Sequence, residues 1–321
     1  MDFVFCSDRR VLAGLHVAAK SVLEHLSRQV LRPVFWIFSD DIDVMDLALL
    51  QATLESTGRS FTLHLRSVNA GLCHSFPRLS GSLATYYRLL VPEQIDADRY
   101  LYLDVDTLCR ADLLAILEHE LVGHPVALCA EGPMASCADK SVVEFLGTAA
   151  IGNYFNAGVM LVDRNSWRQK EITTRCLDHL AKHRADYWDQ SALNCVLHGD
   201  IAALGARFNC FTNVRANWPA LKVSVGGKGR LLHFTDYPKP WSRHGKWVHP
   251  FGREWWNAYR NTAHYRVGPR PDLEVKLSAK QWPGYKKAIK DQALFSAYSL
   301  GWICPKGVPY PGEAASERVH L

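Results

Sequence analysis

The sequence predicts an α/β fold with a mainly parallel central sheet and a small C-terminal extension. Short β-rich apolar runs alternate with segments whose apolar residues recur at helical spacing, and acidic residues collect where those runs end. Composition agrees: 321 residues, 48% of them hydrophobic, suffice for one large core plus an appendage of a globular protein.

The first run, "DFVFCSD" (2–8), ends in polar residues, and the segment after it places Leu12, Leu15, Ala19, Val22 and Leu26 on one helical face. "PVFWIFSD" (33–40) and "DVMDLALLQATLES" (43–56) repeat the strand-helix pattern, and "FTLHLRSV" (61–68) supplies a third strand. "SGSLATYYRLLVPEQI" (80–95) reads as a short helix that Pro92 helps to stop, followed by the strand "RYLYLDVD" (99–106). "PVALCAE" (125–131) and "YFNAGVMLVDR" (154–164) read as strands, "SWRQKEITTRCLDHLAKH" (166–183) as one helix and "DQSALNCVLHG" (189–199) as another. "LGARFNCF" (204–211) and "RLLHFT" (230–235) are late strands. The Pro/Gly punctuation of "RVGPRPDLE" marks a boundary, which predicts a catalytic domain over 1–263 and an extension over 264–321.

The net charge of +5 is too mild to argue for nucleic acid. It is concentrated in the extension, which carries nine Lys/Arg against five acids and is rich in aromatics. Trp282, Tyr285, Phe295, Tyr298 and Trp302 either pack a small subdomain or, with the lysines, dock on an anionic membrane surface. The nine cysteines are scattered and never in a C-x-x-C pair, so they read as reduced thiols and neither as a disulfide framework nor as a zinc site. No signal-peptide pattern is present, and no apolar run approaches the roughly 18 residues that span a bilayer. A cytoplasmic protein is expected.

In parallel sheets with helices on both faces, ligands lie beyond the carboxyl ends of the strands. Asp8, Asp104 and Asp106 all fall at that edge. Alternation along a strand sends Asp104 and Asp106 out of one face with Val105 opposite, and two carboxylates so close repel unless something positive lies between them. They either cap the next helix in water or hold a hard divalent cation, Mg²⁺ or Mn²⁺, completed by water and phosphate oxygens. "LDVDTL" also resembles the D-x-D-x-T pattern of haloacid dehalogenase-type phosphatases, but Thr107 follows Asp106 directly, and that motif normally opens its domain.

"HFTDYPKPW" (233–241) puts an imidazole at a strand end and an ammonium on a loop stiffened by two prolines. It is either a loop packed by Trp241 or a site where His233 completes an oxygen-rich cation site and Lys239 neutralises a leaving diphosphate. In "YFNAG", Gly158 either marks a bulge or lets a ligand approach the backbone, with Asn156 offering a donor and an acceptor to sugar hydroxyls.

Together these elements resemble glycosyltransferase family 8, the retaining nucleotide-sugar transferases that include bacterial lipopolysaccharide galactosyl- and glucosyltransferases and, more distantly, glycogenin. "VFCSD", "VAAKSVLEHL", "TYYRLL", "YLYLDVDTL", "YFNAGVMLVDRNSWR", "DYWDQSALN", "RFN" and "HFTDYPKPW" occur in that family's order over about residues 1–245. The resemblance implies a GT-A, Rossmann-like nucleotide-sugar-binding fold. It implies that Asp104, Asp106 and His233 bind Mn²⁺ (or Mg²⁺) bridging the diphosphate of a UDP-sugar, and that Asp8 contacts the uracil. It places Arg88 and Lys239 near the donor diphosphate or sugar, and Asn156, Gly158, Asp189 and Gln190 along the sugar, with Glu131 at the sugar and acceptor site.

The implied reaction moves galactose or glucose from UDP-galactose or UDP-glucose to a hydroxyl of a glycan or glycolipid, such as a lipopolysaccharide or lipooligosaccharide core, forming an α linkage. Asp189, Gln190 and Lys239 are the candidate catalytic residues, and because Gln is a poor nucleophile, attack from the face of the leaving group is favoured over double displacement. A protein-modifying transferase like glycogenin and a nucleotide-sugar-binding protein without turnover are the alternatives. The chain departs from the family at Ser191, where a second acid is frequent, at Asp236, where glycine is usual, and at Arg10, where a small polar residue is common.

Overall fold

The computed structural model describes residues 1–212, 229–235, 238–242, 245–249 and 251–268, with the isolated positions 286, 289, 290 and 293. Asp236 and almost all of the extension lie outside the described residues.

The strands are β1 (Asp2–Cys6), β2 (Val34–Ser39), β3 (Thr62–Ser67), β4 (Arg99–Leu103), β5 (Thr107–Cys109), β6 (Val126–Pro133), β7 (Asn153–Asp163), β8 (Ala202–Leu204), β9 (Cys210–Phe211) and β10 (Leu231–His233). The helices are α1 (Leu12–His25), α2 (Val44–Glu55), α3 (Ala84–Gln94), α4 (Leu114–Leu117), α5 (Lys140–Leu146), α6 (Arg164–Gln169), α7 (Ile172–Lys182), α8 (Trp188–Val196), α9 (Gly245–Val248), α10 (Gly252–Arg260) and α11 (Ala263–Val267).

Seven strands form the main sheet in the order β3-β2-β1-β4-β7-β6-β8, in which β7 alone runs against its neighbours. The alternation of side chains decides the layers. Phe3, Phe5, Phe35, Ile37, Leu101 and Leu103 point to the side of α1 and α2, while Val4, Cys6, Trp36, Phe38, Tyr100 and Tyr102 point to the side of α3 and α8. Both faces of the sheet are therefore dry, which explains the near-continuous apolar runs.

A second sheet, β5-β10-β9, lies past the end of β4 and closes against the Ala13 and Val17 side of α1. α10 continues that small core through Trp255 and Tyr259. α11 crosses position 264 and buries His264 against His16, and the Ala263 amide donates to Thr53 Oγ1 on α2 (2.9 Å).

Several local expectations are corrected. Asp104, Val105 and Asp106 form a turn after β4, not a continuing strand, because β5 leaves the main sheet to pair with β10. α3 runs through Pro92 to Gln94: Pro92 forfeits one amide, and the Ile95 N–H to Val91 O bond still closes the last turn. The single helix over 166–183 is two, broken where Glu171 takes φ +52°. "LGARFNCF" is mostly a tight turn between the short β8 and β9. The eight described cysteines are all free. Among the described residues, no helix is long and apolar enough to cross a membrane.

Candidate active site

The end of β4 is the centre of the site. Asp104 leaves the strand with its amide bonded to Gly158 O (2.8 Å), and Asp106 follows one turn residue later. β10 then delivers His233 from the second sheet, paired in register with Thr107. Nε2 of the buried His233 lies 3.0 Å from Asp106 Oδ1 and 3.6 Å from Asp104 Oδ2. One ligand atom from each of the three residues fits within 4.8 Å of the others.

The orientation of the imidazole is set by a chain of hydrogen bonds that begins at a backbone amide. Gly158 N–H donates to Asn156 Oδ1 (2.9 Å), so the Asn156 amide nitrogen faces Glu131. Asn209 Nδ2 donates to the same Asn156 oxygen (2.8 Å), which turns Asn209 Oδ1 toward His233 Nδ1 at 2.8 Å. Nδ1 must then donate. Nε2 is left either protonated between two carboxylates or with its lone pair aimed at a shared cation.

Gly158 lies directly behind this cluster. A Cβ there would run into the His233 ring and come within 2.8 Å of Asp104 Oδ2. The donor set of two carboxylates and one imidazole, converging within 4.8 Å, fits a divalent cation of the Mn²⁺ or Mg²⁺ type.

Two cations hold the acids from either side. Buried Arg88 on α3 donates from Nη2 to Asp104 Oδ1 (2.8 Å) and pairs with Asp189 Oδ2 at 3.0 Å, while its guanidinium lies over the Tyr102 ring. Burial works against its charge, but Asp104 and Asp189 more than offset this and raise its pKa. Lys239 Nζ contacts Asp106 Oδ2 at 2.6 Å and also donates to the Phe234 and Thr235 carbonyls. Burial likewise opposes the Asp106 charge, yet the Lys239 ammonium and the His233 ring hold its carboxyl well below the usual range.

A second group adjoins the first on β6, β7 and α8. Gln190 Oε1 accepts from Asn156 Nδ2 and the Ala157 amide, both at 3.0 Å, and its Nε2 donates to Tyr154 Oη (3.0 Å) and Glu131 Oε1 (3.3 Å). Glu131 as a residue is exposed, yet the protein packed around its carboxyl pushes its pKa up. Asp189 points the other way. It is buried, accepts from Thr85 Oγ1 and pairs with Arg88, and burial pushes its carboxyl up to about 6.

Asp8 stands at the end of β1, beside β4, buried and bound by Arg10: its carboxylate accepts from the Arg10 amide (3.0 Å) and Nη2 (2.7 Å). Arg10 Nη1 in turn reaches Ser80 O (3.2 Å). The structure therefore brings Asp104, Asp106, His233, Lys239 and Arg88 into one cluster and Glu131, Asn156 and Gln190 into an adjoining one. Asp8 lies apart on the neighbouring strand, and Asp189 lies behind Arg88. Sequence reasoning assigned no role to Asn209, Tyr154, Tyr102 or Thr85, although "RFN" and "YLYLDVD" contain two of them.

Comparison with known proteins shows what the chain as a whole is similar to. The sequence pattern described as Glycosyl transferase family 8 matches residues 2–245. A lipopolysaccharide 1,2-glucosyltransferase of Escherichia coli K12 is 23% identical, with 97% of this chain and 90% of that protein aligned. A lipopolysaccharide 1,3-galactosyltransferase of Salmonella typhimurium LT2 is 25% identical, with 91% and 88% aligned. Among solved structures, galactosyltransferase LgtC in complex with donor and acceptor sugar analogues superimposes with a TM-score of 0.67 at 23% identity, covering 89% of this chain and all of that one.

Proposed function

The chain belongs to glycosyl transferase family 8, and from that premise we propose that it moves galactose or glucose from a UDP-sugar to a hydroxyl of a lipopolysaccharide or lipooligosaccharide core, with retention of the α configuration. Its fold is of the GT-A type and it is a hexosyltransferase. The names of its relatives support the substrate class.

The observation that carries the reading is the convergence of Asp104, Asp106 and His233, with one ligand atom from each within 4.8 Å of the others, against a glycine whose Cβ would collide with the His233 ring. Mn²⁺ is the proposed occupant. Held by Asp104, Asp106 and His233, it would supply Lewis-acid stabilisation of the charge that builds on the leaving diphosphate.

The protein's own groups do the rest. Lys239 places a second positive charge beside the acids, where it can pair with the departing phosphate. Arg88 holds Asp104 turned into the site. Asn156, Gln190 and Glu131 form a connected set of donors and acceptors suited to orienting sugar hydroxyls. Asp8 and Arg10 take the uracil side.

In the transfer, the anomeric carbon–oxygen bond to the diphosphate breaks, the acceptor oxygen bonds to that carbon, and the acceptor proton passes to the departing phosphate. Attack from the leaving-group face is supported by the engagement of the alternative nucleophiles. Asp189 is held by Thr85 and Arg88, and the Gln190 oxygen already accepts two hydrogen bonds. We place the enzyme in the cytoplasm, peripheral on the inner face of the membrane, on the strength of its basic, aromatic extension and its relatives' lipid-linked products.

The test is UDP release from a panel of UDP-sugars with Mn²⁺ and then with EDTA, for the wild type and Asp106→Asn. Metal-dependent release from one preferred donor, lost in the variant, supports the reading. Release that ignores EDTA and the variant contradicts it.

A further inference from the structure

Asp139 is the most completely enclosed carboxylate outside the acid-imidazole cluster, and none of the roles described above uses it. Its relative exposure is 0%, and among the described residues no cation pairs with it. It precedes α5, and one of its oxygens does what a residue at a helix start ordinarily does: Oδ1 accepts from the Val142 amide (3.3 Å) and from Ser141 Oγ (2.6 Å).

Capping leaves the other oxygen unexplained. Oδ2 accepts from Tyr154 Oη on β7 (2.9 Å) and from Ser191 Oγ on α8 (2.6 Å), the two elements that carry Asn156 and Gln190. Both hydroxyls thus spend their protons on the same carboxylate oxygen. The remaining lone pairs then point onward. Tyr154 Oη accepts from Gln190 Nε2 (3.0 Å), and Ser191 Oγ accepts from the Tyr187 amide (2.8 Å), next to Trp188, which takes the strained φ of +51° at the entry to α8.

We propose that Asp139 is a positioning residue for glycosyl transfer, which acts through Tyr154 to fix which end of the Gln190 amide faces the site. An amide has no intrinsic preference for either orientation; its neighbours decide. With Tyr154 Oη obliged to accept, only the amide nitrogen satisfies it, and the amide oxygen must turn to Asn156 and the Ala157 N–H. Burial and the Asp139 charge both raise the Tyr154 pKa, which keeps its hydroxyl a donor. This inference rests on the transferase reading, because it assigns Gln190 to the sugar end of that site.

The experiment is a double-mutant cycle on UDP release from the preferred UDP-sugar with Mn²⁺, using Tyr154→Phe, Gln190→Ala and their combination, with UDP affinity measured in parallel. Tyr154→Phe keeps the ring and its packing and deletes one hydroxyl. Loss of one such directional bond is expected to lower kcat about tenfold. UDP affinity should stay unchanged, because the transferase reading puts the uracil at Asp8, away from Tyr154, and the double variant should be no slower than Gln190→Ala alone. Asp139→Asn should fall with Tyr154→Phe; if that variant fails to fold, the cycle on Tyr154 still decides.

Full activity of Tyr154→Phe, or losses that multiply in the double variant, would overturn the proposal while leaving the transferase reading intact. A parallel fall in UDP affinity and rate would assign Tyr154 a merely structural role and overturn it too. A folded wild type that releases UDP from no UDP-sugar would instead remove the transferase reading, and this inference with it.

Discussion

Asn209 Oδ1 lies 2.8 Å from His233 Nδ1, and the Asn209 amide nitrogen is held by Asn156. One amide thus links Asn156 to the imidazole of the proposed cation site. Asn209→Ala removes the partner that orients the ring while leaving all three proposed ligands in place. Loss of such a partner typically weakens metal affinity by about 10- to 100-fold. The Mn²⁺ concentration for half-maximal UDP release should rise by that factor, with the rate at saturating Mn²⁺ much less affected. An unchanged Mn²⁺ requirement would show that the ring needs no such support.

Gly158→Ala tests the space itself. The added methyl would meet the His233 ring and Asp104 Oδ2, and the ring is wedged by Asn209 and cannot retreat freely. Mn²⁺-dependent UDP release should drop by about a hundredfold or more, as expected when groups that must converge are forced about 1 Å apart. The large fall should be absent at Gly205, where a Cβ would meet only Phe208 at 3.9 Å.

The Asp189 carboxyl is pushed up from an ordinary 3.8 to about 6, chiefly by burial. At the acid end of this range both folded and unfolded chains hold the proton. As pH rises, the unfolded chain releases it first, so the folded state binds more protons and stability falls until the folded carboxyl has also ionised. Asp189 therefore contributes a downward slope in the melting temperature between about pH 4 and 6, flat above. Asp189→Asn should flatten that slope; an identical pH profile in the variant would contradict the assignment.

The extension gives a prediction about membranes. Each basic residue near an anionic surface contributes on the order of 1 kcal/mol, and the nine Lys/Arg of 264–321 exceed its acids by four. The full chain should co-sediment with vesicles containing anionic lipid and release them in high salt. Truncation should fall after Gly268 and not at residue 264, because α11 is docked on α1 and α2 through His264 and Ala263. Equal binding by the truncated chain would move the membrane contact elsewhere.

The mainly parallel sheet and the acids at its edge were legible because strands buried on both faces leave near-continuous apolar runs, and because "LYLDVDTL" and "HFTDYPKPW" put charged groups where those runs stop. Alternation misjudged the two acids. It treats 99–106 as one strand, whereas β5 is pulled away by its pairing with β10, a contact between segments more than a hundred residues apart in the chain. The break at Glu171 escaped for a related reason: apolar Trp167, Ile172 and Cys176 line the same core on both sides of it. Asn209 and Tyr154 were invisible as functional residues because nothing in "RFN" or "NYFNAG" tells what their amide and hydroxyl will meet once β7, β9 and β10 are assembled.

The central claim is that Asp104, Asp106 and His233 hold a divalent cation that joins the nucleotide to the protein. Titration calorimetry of UDP into the full chain tests it most directly, with Mn²⁺, with EDTA, and with Mn²⁺ for Asp106→Asn and His233→Ala. The account predicts UDP binding that requires Mn²⁺ and is lost in both variants. UDP binding of equal strength in EDTA, or in either variant, would contradict it.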